Sequence, residues 1–119
     1  MQTWYFLPDK EIIDALCAAL QRGVRVEIMI SHKNRIPLIN VFNKKTINQL
    51  RKKGAKIYLW KNNYRHKKLY WNDLDQVIIG SANLDLVSMN NNIEMIITMN
   101  CKTTARSLSK DLEQALAKL

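Results

Sequence analysis

Four side chains between residues 66 and 83 are of the types needed to work on a phosphodiester: the imidazole of His66, the ammonium of Lys68, the hydroxyl of Ser81 and the amide of Asn83. An imidazole can attack phosphorus or protonate a leaving alcohol. A fixed positive charge and neutral donors can hold the phosphoryl oxygens as charge shifts onto them. The spacing supports one shared site. His66 and Lys68 are two apart, so on a strand they point to the same face. Val77-Ile78-Ile79 reads as a second strand ending at Gly80, after which Ser81 and Asn83 return toward that face. A nearby ammonium also lowers the pKa of an imidazole, which keeps His66 unprotonated near neutral pH. Lys67 faces the other way and reads as a solvated charge, or one turned toward lipid or nucleic acid. His32 has no comparable surroundings and reads as a loop residue.

The elements that must position these groups follow from periodicity. Residues 3–7 are aromatic and apolar and read as a strand. Pro8-Asp9 starts a helix with Asp9 as N-cap and Glu11 in the first turn. Ile12, Ile13, Leu16, Cys17 and Leu20 follow at helical spacing, and Gly23 suits the residue that ends the helix. Residues 24–30 alternate as a strand, 31–37 form a loop, and 38–53 form a second helix stopped by Gly54. Residues 55–60 are another strand and 61–65 a polar loop. The two motif strands come next, joined by a tight hairpin at Asp73-Leu74-Asp75-Gln76. A loop at 83–91, a strand at 93–99 and a helix over 103–119 complete the chain. Strands alternate with helices early and become adjacent late, which predicts an α/β fold with a mixed sheet flanked by helices. If one outer layer is missing, an apolar face is left exposed and favours pairing with another copy.

Composition sets the bounds. The 119 residues provide for one domain over 1–119, and an apolar content of 47% is too high for disorder. No run approaches the roughly 20 apolar residues of a membrane span, and no signal-peptide pattern opens the chain. The expected location is cytoplasmic or peripheral at the inner face of a membrane. The net charge of +9, from 19 basic and 10 acidic residues, favours an anionic partner: phospholipid headgroups, nucleic acid or another phosphate-rich substrate. Cys17 and Cys101 read as free thiols, and no metal or cofactor site is expected. Trp4, Tyr5, Tyr58, Trp60, Tyr64, Tyr70 and Trp71 interleave with basic residues but read mainly as core and half-buried strand surface.

His66, Lys68 and Asp73 stand in the order H-x-K-x4-D, followed by Gly80-Ser81-Ala82-Asn83 as G-S-x-N. This pattern resembles the motif of the phospholipase D superfamily without a change of spacing. Gly80-Ser81-Ala82-Asn83-Leu84-Asp85, Tyr5-Phe6-Leu7-Pro8-Asp9, Gln21-Arg22-Gly23-Val24 and Asn92-x-Glu94 resemble the C-terminal half of the bacterial cardiolipin synthases in that superfamily. The resemblance runs from about residue 4 to about residue 99. It implies a phospholipase D-like α/β sandwich and a metal-independent reaction through a phosphohistidine on His66. It also implies that Lys68, Asn83 and Ser81 hold the phosphoryl oxygens, that Glu94 orients the imidazole, and that Asp73 and Gly80 are structural. Asp85 belongs to the lipid-branch signature without a derived role.

Three departures stand out. Lys67 occupies a place usually held by a small residue, Val87 stands where the lipid branch carries Arg, and only one motif is present. Members of the superfamily combine two motifs, so the resemblance implies a homodimer or a second motif-bearing half. A helix usually precedes the first strand in the superfamily, so the resemblance implies a fragment, a shortened relative or one piece of an assembly. The leading expectation is a phosphodiesterase or phosphatidyltransferase acting on phospholipid. The alternatives are a metal-independent homodimeric endonuclease, and an inactive copy that binds anionic partners.

Overall fold

The computed structural model describes residues 1–31, 37–61 and 66–118, with backbone alone for residues 37–42. The first helix begins where the sequence places it. The Asp9 carboxylate accepts from the Ile12 amide at 2.9 Å and satisfies an otherwise orphaned N–H of α1 (Lys10–Gln21). Ile12, Ile13, Leu16 and Cys17 pack inward. Gly23, at φ +80°, takes the left-handed conformation that stops the helix. Val24 belongs to this stop, because its amide donates to the Ala19 carbonyl at 3.0 Å and its side chain is 49% exposed. The strand expected from residue 24 is therefore shorter, and β3 spans Glu27–Ser31.

Residues 3–7 do not form one strand. β1 is Gln2–Thr3 and β2 is Phe6–Leu7, and they lie in different sheets. The chain bends between them at Trp4. The Thr3 hydroxyl braces the bend, donating to the Tyr5 carbonyl at 2.7 Å and accepting from the Leu84 amide at 3.4 Å. Phe6 is thereby turned into the core with no exposed surface.

The remaining elements are α2 (Pro37–Lys52), β4 (Lys56–Trp60), β5 (Leu69–Trp71), β6 (Gln76–Gly80), β7 (Leu84–Asp85), α3 (Leu86–Asn90), β8 (Ile96–Asn100) and α4 (Lys102–Leu116). Six strands form a mixed sheet in the order β4-β3-β1-β5-β6-β8, and β2 pairs with β7 in a small parallel sheet. β4, β3 and β1 are parallel, while β5, β6 and β8 continue antiparallel. Helical crossovers join the parallel part and a hairpin joins β5 to β6.

One core, around Ile28, Ile30, Leu50 and Phe6, is packed by side chains of α1 and α2. A second, around Met29, Trp60, Leu112 and Ala115, is packed by α4 on the other face. The result is the α/β sandwich that the sequence implies, with the sheet between helical layers.

Three further boundaries differ from expectation. The stretch 83–91 is not a loop: it holds β7 and α3, because the Asp85 carboxylate accepts from the amides of Val87 (3.0 Å) and Ser88 (2.9 Å) and caps a short helix. The last strand begins at Ile96 rather than 93. His66 and Lys68 lie just ahead of β5 rather than within it. The expected loops at 31–37 and 61–65, with His32 and Tyr64, fall largely outside the described residues. Cys17 and Cys101 are free.

Among the described residues β8 is the edge strand on one side of the sheet. Ile96 and Ile97 are more than half exposed there (54% and 55%). Among the described residues, nine of the ten large hydrophobic side chains that stand exposed fall between residues 74 and 97.

Candidate active site

Residues 66–68 lead into β5 with alternating direction. Lys67 turns toward α4 and pairs with Asp111 at 2.9 Å, so its charge is engaged in a surface ion pair rather than wholly solvated. His66 and Lys68 take the other side and meet. The Lys68 ammonium lies 2.7 Å from Nε2 and 3.1 Å from Nδ1 of the His66 ring. An ammonium can only donate, so the contact favours an imidazole with an unprotonated nitrogen. Loss of hydration and, after it, the Lys68 charge lower the pKa of His66 below its usual value. The ring itself is exposed and stands at the surface rather than in the hydrophobic interior.

Lys68 is more deeply placed, at 8% exposure. Burial lowers its pKa, and the carboxylates of Glu94 and Asp85 act against that shift. The same two carboxylates thus help to keep a buried ammonium charged beside the imidazole.

The open end of the β5–β6 hairpin supplies the other groups. Gly80 is there because β8's lead-in passes close by: a Cβ at residue 80 would come within 2.4 Å of the Met95 carbonyl oxygen. That approach lets the Ser81 amide donate to the Met95 carbonyl at 3.0 Å, and the Met95 amide donate to the Ser81 hydroxyl oxygen at 3.0 Å. The Ser81 hydroxyl in turn donates to the Glu94 carboxylate. Asn92 donates to the other Glu94 oxygen at 3.2 Å. These two donors hold the Glu94 carboxyl below its usual pKa.

Asn83 is half-buried. Its side-chain carbonyl oxygen is inaccessible and has no hydrogen-bond partner among the described residues. Tyr70 secures the turn between these residues by donating to the Ala82 carbonyl at 3.0 Å, and burial raises its pKa so that the hydroxyl stays a donor.

The structure thus brings His66 against Lys68, and Ser81 against Glu94, with Glu94 acting on Lys68 through its charge. Asp73 is not in this group. It lies exposed in the turn at the opposite end of the hairpin. There the Asn72 side chain accepts from the amides of Leu74 (3.0 Å) and Gln76 (3.1 Å).

Three neighbours of the site carry no motif signal. Tyr70 could have been found by extending the two-residue alternation from Lys68. Thr3 and Trp4 could not, since the bend that presents them is invisible to periodicity. Trp4 lies edge-on to His66 with ring centroids 4.4 Å apart. Among the described residues no three His, Cys, Asp or Glu side chains are grouped to hold a metal ion.

An exposed imidazole against a buried ammonium, with a hydroxyl–carboxylate pair beside the open end of the β5–β6 hairpin, stands on an α/β sandwich. Residues 1–116 match the family described as cardiolipin synthase, PLD-like domain, and the chain belongs to that family. It is similar to cardiolipin synthase A of Pectobacterium carotovorum, with 34% identity over 100 residues, covering 84% of this chain and 21% of that protein. The chain therefore spans about a fifth of the length of the curated relatives it matches. Among solved structures, Nuc from Salmonella typhimurium, a phospholipase D family member, superposes with a TM-score of 0.82 at 24% identity, over 98% of this chain and 76% of that one. NucT from Helicobacter pylori gives 0.79 at 23% identity, over 98% and 76%. These two likenesses establish the shared fold.

Proposed function

We propose that this chain is one motif-bearing half of a phospholipase D-type phosphodiesterase or phosphatidyltransferase, completed by a second such half, and that its substrate is a phospholipid. The observation that carries the reading is the contact of the His66 ring with the Lys68 ammonium. It keeps a surface imidazole unprotonated where a substrate phosphorus can reach it.

In the reaction, a ring nitrogen of His66 uses its lone pair to attack phosphorus. The bond from phosphorus to the leaving alcohol breaks, and the second half's imidazolium gives that oxygen its proton. The neutral second imidazole then takes a proton from water or an acceptor alcohol. The new oxygen bonds to phosphorus, and the phosphorus–nitrogen bond breaks to free His66. Lys68 and Asn83 hold the phosphoryl oxygens through both steps, while Ser81, expected from the sequence to join them, gives its one hydroxyl proton to Glu94. Glu94, held by Ser81 and Asn92, maintains the local charge balance around Lys68; the role of orienting the imidazole comes to it from the family resemblance alone. Gly80 and Asp73 shape the hairpin.

The lipid assignment rests on the family to which the chain belongs and on the name of its relatives, cardiolipin synthase A. The pairing assignment rests on the exposed apolar expanse. None of the 19 basic residues lies between residues 69 and 101, while four of the ten acidic ones do. A segment whose exposed side chains are apolar and that carries no cation suits a protein neighbour better than a phosphate-covered one. No helix among the described residues is long and apolar enough to cross a membrane. The net charge of +9 also favours a second reading, cleavage of nucleic acid by a homodimer.

The test is release of headgroup from phosphatidylglycerol vesicles in the presence of a chelator, with single-stranded DNA as the competing substrate and His66→Asn as the control. Lipid turnover lost in His66→Asn supports the proposal. Turnover of DNA alone supports the nuclease, and equal rates in wild type and His66→Asn remove His66 from the chemistry.

A further inference from the structure

We infer that Trp4 is a positioning residue for the site, fixing the His66 ring against the Lys68 ammonium; this inference rests on His66 being the reacting imidazole. His66 lies outside any strand, in the lead-in to β5, so the regular ladder does not set its ring. The indole of Trp4 stands perpendicular to that ring, at 76° between planes and 4.4 Å between centroids, the edge-to-face geometry that aromatic pairs prefer. The same indole lies 5.9 Å from the Lys68 ammonium, within reach of a cation–π attraction. One aromatic ring therefore touches both members of the reacting pair.

Trp4 is itself anchored on two sides. It stacks on Tyr5 with centroids 4.5 Å apart. It also occupies the bend between β1 and β2, which the Thr3 hydroxyl braces at both Tyr5 and Leu84. β1 belongs to the six-stranded sheet and β2 to the two-stranded one, so the residue at their junction is tied to both frames. An indole held this way closes one side of the imidazole. A smaller side chain would let the ring rotate away from Lys68 and let water reach it. Loss of alignment by about 1 Å costs up to about a hundredfold in rate.

The experiment compares Trp4→Phe, which keeps an aromatic edge, with Trp4→Leu, which keeps apolar bulk alone. Turnover of phosphatidylglycerol vesicles and the proton NMR titration of the His66 ring are followed in both. The expected result is a kcat within about threefold of wild type for Trp4→Phe. For Trp4→Leu, kcat falls about 10- to 100-fold with little change in KM, and the His66 titration midpoint rises. A Trp4→Leu protein with wild-type kcat and an unmoved midpoint overturns the inference. So does an equal loss of activity in both variants with the midpoint unmoved, which assigns Trp4 to the fold alone. If wild type itself turns over no phosphodiester, the functional proposal fails, and the titration still decides whether Trp4 holds the His66 ring.

Discussion

At the scale of single residues, the pair His66 and Lys68 carries the chemistry, and its electrostatics make a signed prediction. Desolvation and the adjacent ammonium both push His66 toward the neutral form. A reaction that needs the free lone pair should therefore persist at pH values below the ordinary histidine range, and its acid limb should lie under 6.5. Lys68→Met removes the second cause and leaves the first. The His66 midpoint should rise, measured by NMR, while kcat falls by about 100-fold or more as a phosphoryl contact is lost. A fall in kcat with an unmoved midpoint would show that the ammonium does not act through the imidazole. The same shift has a consequence for stability. The unfolded imidazole binds a proton more readily than the folded one, so this contribution to stability is fully present above the unfolded value and is lost as pH falls from there through the lower, folded value.

At the scale of elements, the site depends on two close fits. Gly80→Ala would press a Cβ against the Met95 carbonyl oxygen, which is backbone and cannot swing aside. The expected cost is about 1–3 kcal/mol by chemical denaturation, with lost activity because Ser81 and Glu94 are displaced together. Asp85→Ala should cost about 1 kcal/mol by removing the cap of α3. These elements also show what the sequence could and could not disclose. The helix from Asp9 to Gly23 was legible because capping chemistry and a 3.6-residue stripe agree there. His66, Lys68, Ser81 and Asn83 were legible as types and spacings. The split of residues 3–7 was not, because the Thr3 hydroxyl bond to Leu84 joins residues distant in sequence. α3 was missed because four Asn residues and one Asp between 83 and 92 resemble a loop composition, and only the Asp85 bonds reveal a cap. Val24 was misassigned because an apolar alternation runs on through the helix stop.

At the scale of the whole molecule, charge and apolar surface are partitioned along the chain. All 19 basic residues lie outside residues 69–101, and among the described residues nine of the ten exposed large hydrophobic side chains lie within residues 74–97. The basic portion should govern attraction to an anionic substrate, so KM for an anionic vesicle should rise with salt as the Debye length shortens from about 10 Å at 0.1 M. The apolar portion should govern pairing, so Ile96→Lys should shift light scattering toward monomer and lower activity while His66 titrates as in wild type. The most direct measurement of the central claim uses dimers reassembled from wild type and His66→Asn in varied proportion. Two imidazoles around one phosphorus, one from each copy, predict activity that follows the square of the wild-type fraction. Activity in direct proportion to that fraction would mean that each copy works alone, and would contradict the account.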